Sequence, residues 1–249
     1  MIMDIISLSS PEKTGTPSDL QRELYDEVPT AIFINGKHVS TILLAPGNQE
    51  EYFTGFLFTE QYISKIEEIE SIRPEKNRIS VLTTNIFTSP GPKKTILSGC
   101  GGAVSYVDPG KLPVISSDFS VSVEDLKTGI SGFNAFNRAS SNSPSISSLF
   151  LGPEVLYQRS DIGDEQVTDR IIGAALMGSI NFSTTWCMST VIITSEIVRK
   201  CLIVGIPLIL TASHLTKLAQ EIGQKNGICI ASLQNDSLVI YAHPERIIR

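Results

Sequence analysis

Cys100 is the residue of this sequence whose type and neighbours most suggest chemistry. It lies in the run Ser98-Gly99-Cys100-Gly101-Gly102-Ala103, so glycines flank the thiol on both sides. Glycine leaves the sulfur uncrowded and permits backbone conformations that other residues avoid, whereas a packing cysteine normally lies among apolar side chains. The pattern favours a nucleophilic or sulfur-carrying thiol. A tight loop with an incidental cysteine remains the alternative, because this run contains no histidine or lysine.

The other residues with reactive side chains favour structural roles. Cys187, Cys201 and Cys229 fall in apolar segments with strand or helix patterns, so we expect them to be buried. The four cysteines are widely spaced and form no C-x-x-C pair, so neither a disulfide framework nor a zinc site is expected. The acids Asp161, Asp164 and Glu165 precede a predicted helix, where carboxylates complement the helix dipole.

Composition limits the classes of protein that this chain can represent. The 249 residues are 41% hydrophobic, enough for one large domain or two small ones. A net charge of −6 argues against a nucleic-acid-binding protein, which needs a basic surface to neutralise phosphates. The first ten residues lack the basic and apolar regions of a signal peptide, and no apolar run is long enough to cross a membrane. We therefore expect a soluble, cytoplasmic protein.

The elements that must position Cys100 form two regions that differ in their order of predicted strands and helices. In the first, Asn35-Gly36 between two β-rich runs predicts a hairpin. Asn48 with Glu51 resembles a capping box at a helix start, and a second strand pair follows at 69–72 and 79–83. Residues 84–117 are rich in Pro, Gly, Ser and Thr, and no element is predicted there.

Beyond residue 117 strands and helices alternate, which predicts a sheet with parallel pairs covered on both faces. We find no internal repeat. Predicted strands lie at 146–151, 154–158, 186–193, 207–210, 228–231 and 238–241, with helices from 122, around 167–178, at 194–204 and at 215–224.

These patterns predict an α/β (α+β) protein with two folded domains. Residues 1–18 form a flexible arm, residues 19–116 a small α+β domain ending in the Cys100 loop, and residues 117–249 a larger α/β domain. One continuous sheet across residue 117 would contradict this division.

A set of motifs after residue 27 resembles the FdhD family, the formate dehydrogenase accessory sulfurtransferases. The resemblance extends over nearly the whole remaining chain. Its motifs are 28–36, 46–60, 161–163, 169–176, 195–200, 205–207 and 241–246.

The resemblance implies a function in molybdenum-cofactor maturation. Family members take persulfide sulfur from a cysteine desulfurase, bind the bis-guanine-dinucleotide form of the molybdenum cofactor, sulfurate it and pass it to formate dehydrogenase. The implied fold has a larger domain similar to a cytidine deaminase without its zinc site, and the implied assembly is a homodimer. Cys100 matches the first cysteine of the family's C-G-x-C loop and is the implied persulfide carrier. The turn formed by Leu233, Gln234, Asn235, Asp236 and Ser237 matches a nucleotide-contacting segment, with a plain β-turn as the alternative.

Several positions depart from the family pattern. Ala103 replaces the second loop cysteine, and Asp164-Glu165-Gln166 replaces R-H-N, so two acids stand in place of a cation and an imidazole. The run 189–194 lacks another family arginine. Losing such cations weakens a site for a pyrophosphate-bearing ligand. A divergent paralogue that binds the cofactor or a partner without transferring sulfur is therefore the alternative function. A zinc deaminase is excluded, because its H-x-E or C-x-E and P-C-x-x-C motifs are missing.

Overall fold

The computed structural model describes residues 25–84, 112–139, 145–234 and 237–248, together with the backbone of 94–96 and 103–105. Its first layer is a four-stranded sheet in the order β2-β1-β4-β3. The β1–β2 and β3–β4 pairs are antiparallel hairpins, whereas β1 and β4 run parallel because α1 crosses over between them. The elements are β1 (Val28–Ile34), β2 (Lys37–Leu44), α1 (Gln49–Thr59), β3 (Ile69–Glu75) and β4 (Arg78–Thr83).

The predicted hairpin is confirmed, since Asn35 and Gly36 have φ of 49° and 80° as a tight turn requires. Aromatic and aliphatic side chains of α1, including Phe53 and Leu57, pack on one face of this sheet. The predicted capping box is wrong. Asn48 has φ of 47° and its side chain caps nothing, because the chain enters α1 through a left-handed residue. Glu51 instead forms an ion pair outside its own helix.

The second sheet has six strands in the order β13-β12-β11-β10-β8-β9. Strands β10, β11 and β12 are parallel, while β8, β9 and β13 join as antiparallel neighbours. This confirms the predicted sheet with parallel pairs, although β10 ends at Ser189, earlier than predicted. The elements are β8 (Ser145–Leu151), β9 (Glu154–Asp161), α3 (Asp164–Met177), β10 (Trp186–Ser189), α4 (Ser195–Val204), β11 (Leu208–Thr211), α5 (Lys217–Asn226), β12 (Cys229–Gln234) and β13 (Ser237–Ala242).

Both faces of the larger sheet are covered. Helices α3, α4 and α5 bury one apolar cluster against it, and α2 (Val123–Ala139) buries a second cluster on the opposite face. In the second cluster Trp186 stacks on Phe150 with ring centroids 4.0 Å apart, and its indole N–H donates to the Gly152 carbonyl at 2.7 Å. A short parallel pair, β7 (Val121–Ser122) with β14 (Ile247–Ile248), joins α2 to the C-terminus.

Two consecutive strand–loop–helix units of equal length lie side by side in the six-stranded sheet. The first is β10–α4 and the second is β11–α5. Each element of the second unit starts 22 residues after its counterpart, as Leu208 follows Trp186 and Lys217 follows Ser195. The sequence showed no repeat because few side chains are shared. Thr194 and Thr216 cap the two helices, and Gly205 and Gly227 end them with positive φ.

The two sheets are joined through a close crossing of α1 with α3. At Gly55 a Cβ atom would lie 1.9 Å from the Asp169 carbonyl oxygen, and at Gly173 a Cβ would lie 1.7 Å from the Glu51 carbonyl oxygen. Only glycine permits the backbones to approach so closely. Arg159 of β9 also reaches across to Glu51 of α1, with its Nε and the carboxylate 2.6 Å apart.

Candidate functional site

The segment that carries Cys100 contains two short strands that the sequence did not predict. β5 (Lys94–Ile96) and β6 (Ala103–Ser105) pair antiparallel, with Ile96 opposite Ala103. The expectation that residues 84–117 have no elements is therefore wrong at these strands. Cys100 itself lies outside the described residues, and it falls between β5 and β6 in the sequence.

The other three cysteines are packing residues, as predicted. All three are buried in the six-stranded sheet or in a helix that covers it. Burial raises the pKa of Cys187 to about 11, against the opposing effect of a 3.2 Å contact with the Ser147 hydroxyl. Burial likewise raises the pKa of Cys229 to about 12 and that of Cys201 well above its ordinary value. At neutral pH these thiols are protonated and inaccessible, so none of them is a nucleophile.

The turn predicted to contact a nucleotide lies between β12 and β13. Gln234 and Ser237 pair across it, and Asn235 and Asp236 lie outside the described residues. Leu233 packs against the apolar cluster on the α2 face. The Gln234 amide donates to the hydroxyls of Ser232 and Tyr241, each at 2.9 Å. Both amide hydrogens are thus committed within the fold.

A row of small hydroxyl side chains crosses the larger sheet close to the turn, at the carboxyl ends of its parallel strands. Strand pairing aligns Ser147 with Ser189, Ser189 with Thr211, and Thr211 with Ser232. All four are buried. Each lies two residues from a member of the apolar cluster beneath α3, α4 and α5, so all four point to that face. Those cluster members are Leu149, Cys187, Ile209 and Ile230.

Most of these hydroxyls have partners, but one does not. Thr211 donates to the Val191 carbonyl at 2.6 Å, and Ser232 lies 3.3 Å from the Tyr241 hydroxyl. Among the described residues, the Ser189 hydroxyl has no hydrogen-bond partner although the residue is only 3% exposed. Buried hydroxyls are normally paired. Ser189 therefore marks an unsatisfied point in the row.

The N-termini of α3, α4 and α5 adjoin the same edge of the sheet. The loops before α4 and α5 pair with each other, since the Ile193 N–H donates to the His214 carbonyl at 2.9 Å. Ligands of open α/β sheets bind outside the carboxyl ends of the strands, and N–H groups at helix N-termini favour anions. This edge is therefore a candidate ligand site.

Acidic side chains at the start of α3 change the charge of that edge. Asp164 and Glu165 stand in the first turn of α3, as the helix-dipole argument predicted. Asp164 accepts hydrogen bonds from the Ser145 hydroxyl at 2.7 Å and from the Ile192 N–H at 3.3 Å. Burial raises the pKa of Glu165, and its carboxylate has no ion pair among the described side chains. An anion at this edge would meet these two acidic side chains, although the Lys200 ammonium attracts Glu165 and opposes the rise in its pKa.

The helix-dipole role predicted for Asp161 is wrong. This carboxylate is fully buried and forms an ion pair with Arg170, with Nη2 and Oδ2 2.6 Å apart. It also accepts hydrogen bonds from the N–H groups of Ala45 at 2.9 Å and Ile162 at 2.7 Å. The Arg170 guanidinium donates to the carbonyls of Ala45 and Gly47. Asp161 and Arg170 thus attach the end of β2 to the end of β9 and to α3.

A buried network of charges joins α1, α3 and α4, and sequence reasoning missed it. The Lys200 ammonium lies 2.7 Å from Asp169 and 3.1 Å from Glu60. Arg199 pairs with Glu60 at 2.5 Å and with Glu196 at 2.8 Å. Burial would lower the pKa of Lys200, but the two carboxylates outweigh it and leave that pKa raised. Burial would raise the pKa of Glu60, but Lys200 and Arg199 hold it below its ordinary value. Paired ions in this position fix the junction.

Within residues 25–84, 112–139, 145–234 and 237–248, no group of three or more His, Cys, Asp or Glu could hold a metal ion.

None of the helices described here has the length and hydrophobicity that crossing a bilayer requires.

The chain is similar to known proteins over most of its length. The model of the FdhD/NarQ family matches residues 25–248. A sulfur carrier protein FdhD from Sulfolobus acidocaldarius is 30% identical over 231 residues, which cover 89% of each chain. A second one, from Wolinella succinogenes, is 24% identical and covers 87% of this chain and 79% of its own. The crystal structure of a formate dehydrogenase accessory protein from Desulfotalea psychrophila superposes with a TM-score of 0.73 at 22% identity, over 90% of each chain, and so has the same fold. This chain belongs to the FdhD/NarQ family.

Proposed function

We propose that this protein is a sulfur carrier that acts in the maturation of formate dehydrogenase, with Cys100 as the carrier residue. The names of its relatives support the role, and one structural observation supports the residue. Cys187, Cys201 and Cys229 are buried thiols with raised pKa values. A sulfur carrier built on this chain therefore has to use Cys100.

The proposed step is an exchange between sulfur atoms. The Cys100 thiolate attacks the outer sulfur of a persulfide on a cysteine desulfurase. A new S–S bond forms as the old one breaks, the desulfurase cysteine leaves as a thiolate, and no net oxidation occurs. Cys100 then holds the outer sulfur and presents it to the molybdenum cofactor, which is the substrate. Ala103 stands where a second loop cysteine would be, so no neighbouring thiol of the C-G-x-C pair resolves the persulfide.

The bis-guanine-dinucleotide form of the molybdenum cofactor is the proposed ligand of the sheet edge. Backbone N–H groups at the helix N-termini supply hydrogen-bond donors for phosphates, and the turn from Leu233 to Ser237 is the proposed contact for guanine. Asp164 and Glu165 oppose the phosphates, so binding here rests on neutral donors. Titration with GDP should shift the amide signals of Leu233, Gln234 and Ser237. Unmoved signals would exclude this turn as the nucleotide contact.

The test of function is whether this chain restores formate dehydrogenase activity in cells that lack their own FdhD relative. The wild type and Cys201→Ala should restore it, because Cys201 serves only in packing. Cys100→Ser should not restore it, while its circular dichroism and melting temperature stay close to wild type. Equal restoration by Cys100→Ser would contradict the proposed carrier.

The second candidate is a divergent paralogue that binds the cofactor or a partner protein without sulfur transfer. Two observations favour it: the loss of the second loop cysteine at Ala103 and the acids at the start of α3. Such a protein would bind guanine nucleotides or formate dehydrogenase as well with Cys100→Ser as without it. It would take no sulfur from a desulfurase.

Finer features of the architecture and location are also proposals. The separate four- and six-stranded sheets support a division into domains at residues 19–116 and 117–249, with residues 1–18 as an arm. The strand order of the larger sheet, with antiparallel β8 beside parallel β10–β12, supports the deaminase-like description. A zinc-free protein that works in the cytoplasm as a homodimer completes the proposal.

A further inference from the structure

Two side chains hold the residues at which the Cys100 segment leaves and rejoins the fold. We propose that Asn35 and Arg246 are positioning residues, which fix the two ends of this segment on different sheets. The effect on sulfur transfer rests on the proposed function. The anchoring itself does not, and it can be measured separately.

The upstream anchor is Asn35, in the turn between β1 and β2. Its side-chain carbonyl accepts a hydrogen bond from the Thr83 N–H at 2.9 Å, and its amide donates to the Thr83 hydroxyl at 2.9 Å. Thr83 is the last residue of β4 and is 5% exposed. The next N–H, of Thr84, donates to the Glu68 carbonyl at 2.9 Å. The chain therefore leaves the smaller sheet from a fixed point.

The downstream anchor is Arg246, close to the C-terminus. Its guanidinium donates to three backbone carbonyls, at 2.8 Å to Ser117, at 3.0 Å to Phe119 and at 3.0 Å to Gly227. Arg246 is 8% exposed, and no ion pair was found for it among the described residues. A buried guanidinium satisfied by carbonyls holds them in one arrangement, because each lost bond leaves a buried polar group unpaired.

Three neighbouring contacts tie residues 112–122, which we call the return arm, to the same corner. The Ile115 N–H donates to the Asn226 carbonyl at 2.9 Å. Gly227 has φ of 78°, and a Cβ there would lie 2.9 Å from the Ile115 carbonyl oxygen, so the arm crosses directly over this residue. Pairing of β7 with β14 continues the attachment beyond Arg246. The C-terminal residues thus act as a clamp on the return arm.

This arrangement bears on transfer because a reacting group must be placed to within about an ångström to keep its rate. Asn35 holds one end to the smaller sheet, and Arg246 holds the other to the larger one. The buried ion pairs of Lys200 and Arg199 hold the two sheets in a fixed relative position. Releasing either end should therefore slow sulfur transfer between proteins more than it alters a small reagent's access to Cys100.

The first part of the test measures amide hydrogen exchange of the full chain. Asn35→Gly removes the two hydrogen bonds of the Asn35 side chain, while glycine keeps the positive φ of the turn. Asn77→Gly is its matched control, because Asn77 also has a positive φ of 59°, is exposed and has no side-chain hydrogen bond among the described residues. We expect exchange at residues 80–84 to rise about tenfold in Asn35→Gly only.

Arg246→Lys keeps the charge but cannot make three bonds to carbonyls. We expect it to raise exchange in the return arm about tenfold, whereas Arg78→Lys, at an exposed arginine, should not. The second part of the test measures persulfide loading by a desulfurase against alkylation by iodoacetamide. Loading should fall about tenfold in Asn35→Gly and Arg246→Lys, with alkylation of Cys100 changing less than about twofold.

Two results would overturn the inference. One is exchange in Asn35→Gly and Arg246→Lys no faster than in their controls. The other is a persulfide loading rate that is the same in the wild type as in Asn35→Gly and in Arg246→Lys. A wild type that takes no sulfur would instead contradict the proposed function, and the exchange arm would still decide whether these residues hold the segment.

Discussion

The two strand–loop–helix units of the six-stranded sheet have the same backbone pattern but different surroundings. In β10–α4 and β11–α5, helices start 22 residues apart with a threonine cap and end at a left-handed glycine. Yet Lys200 of α4 is buried among charges, whereas Ile222, its counterpart in α5, is buried in the apolar cluster. Arg199 is likewise buried and ion-paired, whereas its counterpart Glu221 is half-exposed.

The difference follows from what covers each helix. α4 lies beneath the end of α1, which presents Thr59 and Glu60 to it, while the outer face of α5 meets solvent. Local signals therefore determine the length and the caps of each unit. The element packed against each helix determines which types of side chain that helix carries. Where groups on α4 are charged and fully paired, they join two sheets. At the carboxyl edge, the Ser189 hydroxyl is buried and has no hydrogen-bond partner among the described residues.

The largest expected effect comes from removing the cation at the α4 junction. Lys200→Met should lower the free energy of unfolding by about 3–5 kcal/mol, because Asp169 is left buried beside Glu60 without its ammonium partner. Lys217→Met is the control on α5. It breaks an exposed pair with Glu221 at 3.8 Å and should cost no more than about 0.5 kcal/mol. Urea unfolding measures both.

Adding Asp169→Asn to Lys200→Met should recover part of the loss, since it removes the uncompensated charge. If Lys200→Met costs no more than Lys217→Met, the junction does not depend on its ions.

The caps should behave alike, because both are local. Thr194 accepts a hydrogen bond from the Ile197 N–H at 3.4 Å, and Thr216 accepts one from Ala219 at 3.2 Å. Thr194→Ala and Thr216→Ala should each cost about 1 kcal/mol in urea unfolding. A cost at one threonine more than about twice that at the other would show that the two units are not equivalent at their starts.

The smallest effect is a gain in stability. Glu165 has a raised pKa, mainly from burial, so its charged form opposes folding. The penalty is complete above the folded-state pKa and absent below the unfolded-state pKa. Glu165→Gln should therefore stabilise the protein by about 0.5–1 kcal/mol at pH 7 and by nothing in the acid range. Urea unfolding across pH tests this, with Glu221→Gln on α5 as the control. A gain independent of pH would indicate packing instead of charge.

Local patterns in the sequence predicted most elements of this fold. The Asn35-Gly36 hairpin and the alternation of strands and helices after residue 117 depend on interactions between residues a few positions apart. They can therefore be predicted from a single sequence. The capping box at Asn48 was wrong because the chain enters α1 in a left-handed conformation. The pairing of β5 with β6 was missed because three-residue strands are too short to show a period.

The contacts that define the junction and the anchors were not predictable in this way. Lys200 meets Thr59 across 141 residues of sequence, and Arg246 meets Ser117 across 129. Only a charged pair within the apolar pattern of α4, Arg199-Lys200, signalled that this helix faces something other than an apolar neighbour. The function was predicted from the resemblance, which motifs such as 46–60 and 169–176 carry, and the Cys100 loop lies outside the described residues.

The most direct test of the central claim is to find which thiol carries the sulfur. The native protein is incubated with a cysteine desulfurase and cysteine, alkylated, digested and mapped by mass spectrometry. We predict persulfide on the Cys100 peptide alone, with Cys187, Cys201 and Cys229 recovered as unmodified thiols that react only after unfolding. Persulfide on any of those three, or on none of the four, would contradict the account.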